Sequence, residues 1–149
     1  MTHPTDSEFA DIDDLDVALV PELQEWRDTL GEEVRLEDWI DHTGDIRLAI
    51  GYMRRLWPEF RLYKKGVYLA EGFSEDIWQE WDEAHKGDRQ QIERTINHVP
   101  LLDFFANLET QVSISRIQLL YFGEYLQRMW EAKLQHDYPD RKIVVELMK

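Results

Sequence analysis

The stretch VSISRIQLLYFGEYLQRMWEAKLQH, residues 112–136, decides the fold class. Ile117, Leu120, Tyr121, Glu124, Tyr125, Arg128 and Glu131 fall along one side of a helix, and Leu119, Phe122, Leu126, Met129, Trp130 and Lys133 along another. Recurrence every three to four residues is the period of an α-helix. Apolar residues surround the turn Leu119–Phe122 on all sides, which predicts that this turn sits at the centre of the core. Pro139 ends the helical region, and the β-branched run that follows predicts a C-terminal strand over about 142–147.

Upstream, Phe60–Tyr63 and Val67–Ala70 flank Lys64-Lys65-Gly66, the pattern of an antiparallel hairpin over about 59–70. A lone hairpin is marginal, so it is expected to pair with the C-terminal strand. Asp45 caps a helix up to Leu56, whose apolar positions Ile46, Ala49, Ile50, Met53 and Trp57 keep helical spacing before Pro58. Ser74 opens another helix ending near Lys86-Gly87, with Phe73 and Trp78 spaced as a hydrophobic staple. Asp88 caps Arg89–Val99, and Leu101–Leu108 reads as a short helix. Near the N-terminus, Leu23, Trp26, Arg27 and Leu30 make a helical stripe ending at Gly31, and Leu36–Asp41 reads as a helix with Trp39 and Ile40 inward. Residues 1–16 read as an acidic, mobile arm with one ordered turn at Phe9, Ile12 and Leu15. Residues 17–149 read as one globular domain. The fold class is α+β: a mostly helical single domain with the hairpin and the strand set around the long central helix.

Composition fits a packed domain. The chain has 149 residues, 43% of them hydrophobic and 12% aromatic. It has no cysteine, which removes disulfides and thiolate chemistry. No run approaches the roughly 18 apolar residues of a membrane span, and no secretory leader is evident, so the cytoplasm is the expected compartment. The formal net charge is −14, and residues 1–45 carry fifteen acids against Arg27 and Arg35, a balance of −13. Such a field repels polyanions and anionic lipid and attracts basic surfaces. Direct nucleic-acid binding and membrane association are therefore not expected.

Motifs for chemistry are sparse. The glycines are scattered, with no phosphate-binding loop, and neither HExxH nor GxSxG is present. Asp82 and His85 lie three apart on one helix face, but a carboxylate–histidine metal site needs further ligands. His98, near a helix end and upstream of Asp103, lacks a marked nucleophile. The sequence thus assigns no catalytic residue, no metal and no cofactor. Trp78 and Trp81 read as core, given the area each ring must hide.

The leading expectation is a non-catalytic protein-interaction module that shows an acidic N-terminal face to a basic partner. An inhibitor or immunity-type protein covering a cationic enzyme is its sharp form. Glu32, Glu33, Glu37, Asp38 and Asp41 are the candidate contacts, with Trp39 as aromatic anchor. The alternative is a small-molecule binder or enzyme with a pocket between the long helix and the hairpin. Tyr63, Tyr68, His98, Tyr121, Glu124, Tyr125 and Arg128 would supply its polar lining. A homo-oligomer subunit is a third reading, for which the sequence offers no specific support.

Overall fold

The structure is a computed structural model, and it describes residues 8–107 and 113–149. The start of the expected arm, Leu108 and Val112 lie outside the described residues. In chain order the helices are α1 (Leu15–Leu19), α2 (Leu23–Leu30), α3 (Leu36–Thr43) and α4 (Ile46–Leu56). The hairpin strands β1 (Phe60–Tyr63) and β2 (Gly66–Leu69) follow, then α5 (Glu75–Ala84) and α6 (Arg89–Ile96). A short 3-10 turn at Leu101–Phe105 leads to the long α7 (Arg116–Asp137). The α+β, mostly helical single domain is as the sequence predicts.

Local chemistry sets the boundaries. Ser115 Oγ accepts from the Gln118 N–H at 3.1 Å, and Gln118 Oε1 accepts from the Ser115 N–H at 2.9 Å, a reciprocal cap that starts α7. Asp45, Ser74 and Asp88 cap α4, α5 and α6 through their side chains. In the hairpin, Phe60 faces Leu69 and Tyr63 faces Gly66. Lys64 and Lys65 both take positive φ, 43° and 68°, which a tight primed turn requires of its two central residues.

The predicted C-terminal strand does not form a ladder among the described residues. The outer edge of β2 is already occupied. The Val67 N–H donates to Glu93 Oε1 at 3.2 Å and the Leu69 N–H to Asn97 Oδ1 at 2.9 Å, while Asn97 Nδ2 donates to Val67 O at 2.8 Å. Glu93 on α6 and Asn97 just beyond it thus supply the bonds a third strand would have made. Residues 142–148 keep their alternation, with Ile143, Val145 and Leu147 half-buried between exposed neighbours, but they lie against α7. Gln127 Nε2 donates to Val145 O at 2.6 Å. Leu147 packs over Gly123, where an added Cβ would come within 3.0 Å of it and 2.8 Å of Leu101.

The core also sits off the predicted place. Leu119–Phe122 is only half-buried, and the buried residues of α7 are Gly123, Leu126 and Leu134. A turn that is apolar all round cannot turn every side to one small core. Phe122 meets Phe104 and Phe105, and Tyr121 meets Phe9 with ring centres 5.5 Å apart. Phe9, on the segment expected as an arm, is 3% exposed. The tightest packing joins the hairpin to α5 and α6: Tyr68, Trp78 and Ile92 are buried together, with Tyr63, Phe73 and Ile96 against them. Trp78 Nε1 donates to the Tyr68 hydroxyl at 2.9 Å. Trp81 is partly exposed and stacks on His85, so only one of the two tryptophans is core.

Candidate functional site

Residues 8–45 do not present all their acids outward. The Arg27 guanidinium binds Asp14 and reaches Asp16 at 4.0 Å, while Arg27 Nε donates to Val34 O at 3.0 Å. Glu8 pairs with Lys149 Nζ at 3.0 Å, and that ammonium group holds the Glu8 carboxyl below its ordinary range. Asp45 accepts from both the side chain and the backbone of Arg47, which lower its pKa. The first two sets join α1 to α2 and Glu8 to the C-terminus, whereas the Asp45–Arg47 pair is local to the start of α4.

The predicted contact residues divide accordingly. Glu32, Glu33, Glu37 and Asp41 are exposed on and before α3. Asp38 is half-buried and accepts from the Arg35 N–H at 2.9 Å, so it caps α3. Trp39 is half-buried, whereas Ile40, expected inward, is exposed.

The sequence reading missed an apolar companion to this acidic rim. Helices α3 and α4 contain no buried residue. The inner flank of α4 carries Tyr52, which meets Phe105 with ring centres 6.3 Å apart. Its other apolar flank, Ile46, Ile50 and Met53, points to solvent, with Ile46 73% and Met53 66% exposed, while Trp57 at its end meets His136 and Lys133 of α7. Of thirteen large exposed apolar side chains among the described residues, seven lie between Leu30 and Trp57. The signal was present as the stripe, but periodicity does not say what covers it.

A cavity of about 670 Å³ lies between the long helix and the hairpin. Its walls come from β2, α6, residues 98–101, α7 and the C-terminal segment. The expected lining is mostly elsewhere. Tyr63 and Tyr68 belong to the aromatic core with Phe73 and Trp78. Tyr121 packs between Phe9 and Tyr125, and burial, then its bond to Tyr125, push its hydroxyl up to about 12. Glu124 accepts from Lys149 Nζ at 3.2 Å, and the Arg128 guanidinium lies 5.9 Å from the Tyr125 ring centre. Of the seven, only His98 lines the cavity. It also lines a smaller cleft of about 320 Å³ with Asp103, Arg55 and Glu71. The polar residues that do line the larger cavity include Arg89, Arg94, Gln127, Arg141 and Lys142. The Arg141-Lys142 doublet was their one visible trace in the sequence.

His85 Nε2 lies 2.9 Å from Thr95 Oγ1, so His85 ties the end of α5 to α6. Among the described residues no group of three or more metal-ligating side chains comes together. None of their helices is long and apolar enough to cross a membrane. Comparison with protein-family models, with curated proteins and with solved structures gives no match for the chain.

Proposed function

We propose that the chain is a protein-interaction module whose binding face is built by α2, α3 and α4. The partner presents a basic rim around an apolar patch, and a cationic enzyme held by an inhibitor of this kind is the sharp form. Two observations support this reading: the acids Glu32, Glu33, Glu37 and Asp41 are exposed on and just before α3, and the next helix in the chain, α4, exposes Ile46, Ile50 and Met53. Helices of this length are marginal in water unless an amphipathic face is packed. In such a face the apolar centre supplies affinity and the acidic rim speeds encounter.

The test is retention of a basic protein from lysate on the immobilised chain at low salt, with release at high salt. The double variant Ile50→Glu/Met53→Glu is expected to lose that protein. The double variant Glu37→Lys/Asp41→Lys is expected to bind it more slowly and with less salt dependence. A protein retained equally by all three chains refutes the reading, as does retention of none.

A further inference from the structure

We propose that the cavity between the hairpin, α6 and α7 is a binding site for an apolar monocarboxylate, with the hydrocarbon inside and the carboxylate at its rim. The cavity's about 670 Å³ lies within the roughly 300–1,000 Å³ of small-molecule sites. Its walls are chiefly apolar: Leu69, Leu126, Trp130, Leu134 and Leu147 face it from three directions. This apolar part of the lining favours a hydrocarbon.

Charge selects the head group. In a chain of net charge −14, this site gathers Arg89, Arg94, Arg141 and Lys142 against Glu93 and Glu146. Both carboxylates are engaged, Glu93 with the Val67 N–H and Glu146 with Arg94 at 2.8 Å. Arg89 and Lys142 are exposed, so their cationic ends stand at the rim and not among the apolar walls. A carboxylate there gains charge-assisted hydrogen bonds. Entry has a route as well. The C-terminal wall is held by Gln127 on Val145 O, by Arg141 on Lys65 O and by the ion pairs of Glu146 and Lys149, with no ladder, so its parting breaks side-chain bonds and no sheet.

The experiment is calorimetric titration of the full chain with dodecanoate, dodecanol and acetate. The expected result is saturable binding of one dodecanoate per chain, weaker binding of dodecanol and none of acetate. Arg89→Glu/Lys142→Glu, at exposed positions, should weaken dodecanoate by about tenfold or more and leave dodecanol unchanged. Leu126→Trp, which fills the cavity, should abolish both ligands, with circular dichroism confirming the fold. Ile50→Glu/Met53→Glu should bind dodecanoate normally, which keeps this site distinct from the proposed partner face. Non-saturable uptake, equal affinity in the Arg89/Lys142 variant, or loss in the α4 variant each overturns the proposal. Because the rim residues are exposed, their variant decides the matter even if Leu126→Trp misfolds.

Discussion

Helices α4 and α5 look alike in sequence and end up in opposite circumstances. Each has a side-chain cap at its N-terminus, Asp45 in one and Ser74 in the other, and each carries an apolar stripe. In α5 the stripe is met: Trp78 is buried against Tyr68 and Ile92, and its indole N–H is matched by the Tyr68 hydroxyl. In α4 one flank is met through Tyr52, and the flank of Ile46, Ile50 and Met53 is not. Helical spacing therefore specifies that an apolar face exists, and tertiary geometry decides whether the same chain covers it. The largest test of this contrast is Trp78→Ala, expected to cost about 3–5 kcal/mol. The loss includes a buried Tyr68 hydroxyl left without its donor. Met53→Ala, at a position 66% exposed, should change stability by less than about 0.5 kcal/mol. Urea unfolding of the two variants measures both, and comparable losses would erase the distinction between the helices.

A second difference is how the two regions treat their backbone. The β2 edge is closed by polar side chains, and Asn97 does most of that work by accepting from Leu69 and donating to Val67. Asn97→Ala leaves a part-buried N–H and C=O without partners, at an expected cost of about 1–3 kcal/mol. Amide exchange at Leu69 should accelerate in that variant. Asn97→Asp keeps the acceptor for Leu69 but sets a carboxylate oxygen against Val67 O, so it should cost at least as much as Asn97→Ala. An Asn97→Ala chain as stable as the parent would mean that solvent already reaches this edge.

Local signals in the sequence transferred to the structure wherever they describe neighbours along the chain. Ser115 with Gln118, Asp45, Ser74 and Asp88 each cap the helix they precede, and Lys64-Lys65-Gly66 turns the hairpin. Such features depend on a few consecutive residues. The misplaced features depend on distant ones. Ile143-Val144-Val145 has strand character, but Glu93 and Asn97 had already taken the edge it would have joined. The cavity is lined by both Arg89 and Lys142, positions far apart in sequence. The acidic rim was legible by composition. The exposure of the α4 stripe was not, because an amphipathic pattern carries no sign for inward or outward.

Capping gives the finest comparison of the two helices. Ser74→Ala removes the bond to the Ile77 N–H and should cost about 1 kcal/mol globally, since α5 is tied into the aromatic core. The cap of α4 differs in kind, because Asp45 titrates and Ser74 does not. Bonds from Arg47 hold the Asp45 carboxyl below its ordinary 3.8. A depressed folded-state value means that the charged form is favoured in the fold. Its contribution is therefore complete above the ordinary value and is lost as pH falls through the depressed one. Acidification below about pH 4 should fray the first turn of α4 while α5 keeps its cap. The amide signals of Arg47 and Leu48 should shift and exchange faster in that window, and that of Ile77 should not. Equal fraying of both helices would place the acid response in the shared core and not in Asp45. Loss at α4 alone would show that this helix, with one flank uncovered, depends on its cap more than its buried counterpart does.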